Sequence, residues 1–151
     1  NGLVLGIYPD VKKSCDILSN LKHNNFLPYV MAALHAKEQK WNDTIILNTN
    51  GHICDSTIAN VFLIKDETVF TPALEEGCIA GIMRRNILQQ LKSNNIPVIE
   101  GKITVDDLMN ADEIFLTNSI YNMRWVQVIG VKKYGNAYTK KIYSIINQTF
   151  Y

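Results

Sequence analysis

At 151 residues, with 47% hydrophobic and 19% charged side chains, the chain has the size and balance of one globular domain. A formal net charge of +1 with no long run of one sign argues against a nucleic-acid footprint and against a polybasic membrane patch. No apolar run reaches the ~18 residues of a spanning helix, and the opening NGLVLGIYPD lacks the basic flank and apolar length of a signal peptide.

Leu3 to Tyr8, LVLGIY, reads as a short strand, followed by an irregular polar connection, PDVKKSCDILSN. In LKHNNFLPYVMAALHAKEQKW, Pro28 suits the first turn of a helix, and Val30, Ala33 and Leu34 repeat at helical spacing. Lys22 therefore lies on an extended piece just ahead of a helix. DTIILNT is a strand, Asn50–Gly51 a turn, and HICDS the return. ANVFLIKD and TVFTP pair around Asp66–Glu67. The loop LEEGCIAG enters the helix IMRRNILQQLKSNN, which Asn94–Asn95 and Pro97 end. PVIEGKI is a strand. Thr104 with Asp107 resembles a capping box for the short helix TVDDLMN. DEIFLTNS and RWVQVIGVKKY supply further strands. AYTKKIYSIINQTF closes the chain as an amphipathic helix, with Ile142, Ile145 and Ile146 on one side. Trp125, Tyr121 and Phe26 read as core aromatics.

Strands in mixed order with helices between them predict an α+β fold or a barrel-like mixed sheet. No G-x-G-x-x-G follows a strand and no Walker lysine motif is present. Three cysteines, Cys15, Cys54 and Cys78, with wide gaps and no C-x-x-C, predict neither a disulfide framework nor a structural zinc site, and fit a reducing cytoplasm. His23, His35 and His52 form no metal-spaced set. With no initiator Met and an immediate strand, the sequence reads as the middle of a longer protein.

Four features bear on chemistry. In GIMRRNIL a glycine stands where a helix begins, so a ligand can approach backbone N–H groups that have no helical partner. This is the arrangement that binds anions, phosphate most often; the alternative is a loop whose glycines only satisfy backbone angles. Asn118–Ser119, ending the strand DEIFLTNS, can donate to the same phosphate or form an ordinary turn. Asp55, between IC and small residues, can balance a buried cation or face solvent. Lys22 can form a Schiff base if its pKa is depressed, or be one solvated lysine among many.

The order of these features is more specific than any one of them. LKHNNFLPYVMAALHAKE, GHICDSTIANVFLIKD, TVFTPALEEGCIAGIMRR and ADEIFLTNS, in this sequence, resemble the class IV (fold type IV) pyridoxal-phosphate enzymes. That family includes branched-chain and D-amino acid aminotransferases and 4-amino-4-deoxychorismate lyase. The resemblance runs from about Asp10 to about Val128 and implies the barrel-like C-terminal large domain of that fold. It further implies that a smaller N-terminal domain, which carries another phosphate-binding arginine, is missing, and that the 151-residue piece alone is inactive.

Position by position, the resemblance implies Lys22 as the lysine that holds pyridoxal 5′-phosphate as an internal aldimine and then moves the substrate proton. It implies Asp55, where the family usually has Glu, as the partner of the pyridine nitrogen, with Asn60 in support. Ile79 is implied against the ring face. Gly81, Ile82 and Met83 are implied at the phosphate-gripping helix start, and Asn118 and Ser119 in the second phosphate loop. No metal is implied. Gly81-Ile82-Met83-Arg84, with Met where the transaminases often have Thr, leans to the lyase; an amino acid transaminase or a truncated non-catalytic paralogue are the alternatives. The expected partners are a small amino acid or aminodeoxychorismate-like substrate and a second copy in a homodimer, with no nucleic acid and no membrane.

Overall fold

The computed structural model describes residues 1–24 and 26–147. In chain order its elements are β1 Leu3–Lys13, α1 Leu27–Glu38, β2 Asp43–Asn48, β3 Ile53–Ser56, β4 Asn60–Lys65 and β5 Thr68–Pro72. They continue with α2 Ile82–Ser93, β6 Val98–Gly101, α3 Val105–Asn110, β7 Glu113–Asn118, β8 Asn122–Ile129, β9 Lys132–Lys133 and α4 Ala137–Asn147. The strands form one mixed sheet in the order β3-β2-β1-β8-β7-β4-β5-β6, with β9 on β8. The sheet curls, so that β3 at one end also lies against β4 and β5. The barrel-like mixed sheet expected from the sequence is the fold found.

Strand periodicity explains the two-sided burial. In β4, Val61 and Leu63 point into the hollow of the curl with Leu5, Ile45, Ile53, Ile114 and Leu116, and α3 adds Leu108. Phe62 and Ile64 point outward and meet Met83, Ile87 and Leu91 of α2 and Ile142 and Ile146 of α4. Phe62 and Phe115 stack at 4.9 Å on that outer face. A third cluster, Tyr8, Ile46 and Ala32, lies under α1.

Several local signals act as read. Asp66 and Glu67 both have positive φ (47° and 60°), as a tight hairpin requires. Thr104 and Asp107 form a reciprocal capping box. Asn94 caps α2 and Asn95 turns left-handed at φ 55°. Glu113 accepts from the Tyr138 and Thr139 amides (2.9 and 2.7 Å), fastening the start of α4 to the sheet.

Other readings are corrected. β1 does not stop at Tyr8 but runs to Lys13. A register shift between Tyr8 and Lys12 lets the strand pass Pro9 and re-pair Lys12 with Leu47 and Lys13 with Asn48. In α1 the residues that face the sheet are Ala32 and Ala36, while Val30, Ala33 and Leu34 point outward. The helix rests on its small residues because Tyr8 and Ile46 already fill the space beneath it. Phe26 and Tyr121 are exposed at connections, and Trp125 is only half-buried within β8, opposite Phe115. The end of the closing helix expected over Gln148–Phe150 lies outside the described residues.

Candidate active site

Asp55 pairs with Ile46 across β2 and β3, so its side chain shares the face that α1 covers. It is 1% exposed. Five donors converge on it: the Ile79 amide (2.9 Å), the Tyr29 hydroxyl (2.9 Å), Lys13 Nζ (3.3 Å) and, more distantly, Cys54 Sγ (3.9 Å) on Oδ2, and Asn60 Nδ2 (2.9 Å) on Oδ1. A tight turn sets this up. The Ser56 amide donates to Ala59 O (2.9 Å) and the Ala59 amide to Ser56 Oγ (3.1 Å), so β3 reverses into β4 with Asp55 and Asn60 side by side.

Burial pushes the Asp55 carboxyl up from the usual carboxylate range; Lys13 is the largest influence pulling it back, followed by the Ile79 amide and the Tyr29 hydroxyl. Burial and the neighbouring carboxylate push the Tyr29 hydroxyl upward. Burial likewise pushes the Cys78 thiol up to about 12, with Cys54 higher still, so neither is a thiolate nucleophile at neutral pH.

Asp55 is tied to the glycine loop through Ile79 and Asn60. Asn60 Nδ2 also donates to Ile79 O (2.8 Å), and a side chain at Gly81 would run into Asn60 Oδ1. Gly77 turns left-handed at φ 84° against Ser14 O. Glu76 is held by Asn48 Nδ2 (2.7 Å) and His52 Nδ1 (2.8 Å), which pins the start of the loop. Gly81 then begins α2 without any side-chain cap, leaving the amides of the first turn, Ile82 and Met83 included, open to an anion.

Asn60 pairs with Thr117 of β7, so the two side chains share a face. Thr117 Oγ1 is buried there with no hydrogen-bond partner among the described residues. Asn118 turns its side chain to its own loop, accepting from the Ile120 and Tyr121 amides (3.0 and 2.8 Å). Ser119 is exposed beside it.

Asp55, Asn60, Ile79 and Gly81 are thus in direct register, with Ile82 and Met83 following on α2. Lys22 is not against Asp55. It is exposed on the connection between β1 and α1. That connection is nevertheless docked on the glycine loop. The Ala80 amide donates to Asn20 O (2.9 Å), and Asn20 Nδ2 donates to Cys78 O (2.7 Å). Two residues of chain span at most about 7 Å, which keeps Lys22 within side-chain reach of the loop. Sequence reasoning passed over Lys13, Tyr29, Asn20 and Thr117. The carboxylate's ability to balance a buried cation was visible, but nothing local marks Lys13 as that cation. Among the described residues no group of His, Cys, Asp and Glu is placed to hold a metal ion.

A buried carboxylate is thus bonded to the backbone of a glycine loop that opens an uncapped helix. The chain matches the amino-transferase class IV family over residues 5–129 and belongs to it. An aminodeoxychorismate lyase of Vibrio harveyi is 38% identical over 116 residues, 77% of this chain and 40% of the relative. A Thermotoga maritima protein described as a branched-chain-amino-acid aminotransferase is 43% identical over 77 residues, 51% of this chain and 28% of the relative.

Among solved structures, a Legionella pneumophila protein described as a 4-amino-4-deoxychorismate lyase superposes with a TM-score of 0.90 at 26% identity, covering 98% of this chain and 56% of the other. An aminotransferase from Brucella abortus, bound to its cofactor pyridoxal phosphate, shares the fold with a TM-score of 0.88 at 19% identity; 98% of this chain covers 54% of that one. The chain spans about half, or less, of the length of these relatives. The residues present fit pyridoxal phosphate: Asp55 for the ring nitrogen, the open first turn of α2 for the phosphate, and an unpartnered Thr117 hydroxyl on the same face.

Proposed function

We propose that the protein is a pyridoxal-phosphate enzyme acting on a small amino-acid-like substrate, and that its reaction is that of an aminodeoxychorismate lyase, releasing pyruvate and leaving 4-aminobenzoate. The observation that carries the cofactor assignment is the Asp55–Ile79–Asn60 triangle. It couples a buried acid to the loop that opens α2, with the Ile79 amide on one of its oxygens and Asn60, itself bonded to Ile79 O, on the other.

In this reading Asp55 receives the ring nitrogen and Asn60 fixes its rotamer. Ile79 packs on the ring face. The Ile82 and Met83 amides and the Asn118–Ser119 turn hold the phosphate. When bound, the cofactor supplies an electron sink for negative charge developing on the substrate carbon. Lys22 would be the residue that anchors the cofactor, and its amine would carry the proton to and from the substrate. Asp55, shielded from water, would hold the ring nitrogen in its protonated form.

The lyase assignment is supported by Met83 in Gly81-Ile82-Met83-Arg84 and by the Vibrio relative. The identity to the Thermotoga relative supports an amino acid transaminase as the second reading. Assaying the full-length protein on aminodeoxychorismate separates them. We expect 4-aminobenzoate and pyruvate in equal amounts, both lost in Lys22→Ala. Amino transfer to a 2-oxo acid without any 4-aminobenzoate would replace the lyase by the transaminase.

A further inference from the structure

We propose that Lys13 is a positioning residue of this site: it is the fixed cation that keeps Asp55 an anion inside the protein. Lys13 is 7% exposed although it is a lysine. Its Nζ lies 3.3 Å from Asp55 Oδ2, donates to Ser19 O (2.8 Å), and stands over the Tyr29 ring at 5.1 Å. Its backbone is held as well, the Thr49 amide donating to Lys13 O (3.0 Å). The ammonium therefore has a built seat, formed by the end of β1, the 14–20 turn and α1.

The remaining surroundings of Asp55 are neutral. Tyr29 faces it from α1, Cys54 flanks it on its own strand, and Cys78 approaches from the glycine loop. Lys13 is the one cation bonded to it among the described residues. A carboxylic acid must place its own proton on an acceptor. The Ile79 amide, the Asn60 amide nitrogen and an ammonium can only donate, and only Tyr29 Oη and, weakly, Cys54 Sγ could accept. The geometry is made for a carboxylate, yet neutral donors do not supply the counter-charge that a fully buried anion needs. Lys13 supplies it.

The consequence for the cofactor rests on the function proposed above: only an ionised Asp55 keeps a ring nitrogen protonated. The ionisation of Asp55 itself does not rest on it. The test therefore begins on the full-length protein without cofactor. Asp side chains are labelled with 13C at the carboxyl, and the Asp55 signal is identified by its loss in Asp55→Asn.

At neutral pH the wild type should show Asp55 as a carboxylate, Lys13→Met should show it protonated, and Lys13→Arg should restore the carboxylate. A carboxylate signal in Lys13→Met indistinguishable from wild type would overturn the proposal. Should Lys13→Met not fold, Lys13→Gln, which keeps a hydrogen-bond donor without the charge, decides: Asp55 must again be protonated, and a carboxylate signal like that of the wild type would refute the proposal.

Titration with pyridoxal phosphate, followed by absorbance, gives the second arm. Losing a charge-assisted contact at the ring nitrogen should weaken uptake about tenfold or more in Lys13→Met, with rescue by Lys13→Arg. If the carboxyl signals behave as expected but no protein takes up pyridoxal phosphate, the Lys13–Asp55 assignment stands and the cofactor reading fails.

Discussion

Asp55 and Asn60 can be neighbours because the β3–β4 reversal takes only Thr57, Ile58 and Ala59, and because Gly81 leaves room for the Asn60 amide. Gly81→Ala puts a methyl against Asn60 Oδ1. The clash should cost about 1–3 kcal/mol, as small-to-large changes in packed sites do, and should loosen Asn60 from Asp55. Urea unfolding of the full-length protein together with a pyridoxal phosphate titration would check both effects; unchanged stability and unchanged uptake would show that Asn60 is not fixed through this contact. At this scale sequence and structure diverge most over lysines. Lys22 stands beside a helix start in a family-like string and was easy to single out. Lys12–Lys13 falls in the stretch that reads as an irregular polar connection, and only a strand pairing with residues 35 positions downstream, Lys13 on Asn48, turns one of the two inward.

Among elements, those with local punctuation were legible. The Asp66–Glu67 hairpin, the Asn94–Asn95 helix stop and the Thr104 cap each rest on residues whose side chains or φ angles set the conformation within a few positions. β1 and the orientation of α1 were not legible, because both answer to the partner surface: β1 continues past Pro9 through a register shift, and α1 turns its alanines to Tyr8 and Ile46. The cap offers a clean test. Thr104 Oγ1 accepts from the Asp107 amide (3.1 Å) and Asp107 Oδ2 accepts from the Thr104 amide (2.8 Å). Thr104→Ala should lower stability by about 0.5–2 kcal/mol in chemical denaturation.

The Thr104 amide and hydroxyl hold the Asp107 carboxyl below its ordinary value. A depressed carboxyl stabilises the fold above its unfolded pKa, and that contribution is lost as pH falls through the folded one. The difference between wild type and Asp107→Asn should therefore narrow below the ordinary Asp range. A difference constant down to strong acid would mean the carboxylate's charge contributes nothing to the cap.

For the whole molecule, the curl of the sheet brings together parts far apart in sequence. The end of β1, the turn into β4, the glycine loop and the strand end at Thr117 meet at one edge, between α1 and α2. Their order along the chain was readable as a family pattern; their convergence on one buried carboxylate required the fold. The central claim is that this edge binds pyridoxal phosphate and that the adjoining connection provides the lysine. The most direct measurement is to incubate the full-length protein with pyridoxal phosphate, reduce with borohydride, and locate the pyridoxyl group by peptide mass spectrometry. The account predicts one adduct, on Lys22, absent in Lys22→Ala. An adduct on Lys13, or a scatter over surface lysines, would contradict it.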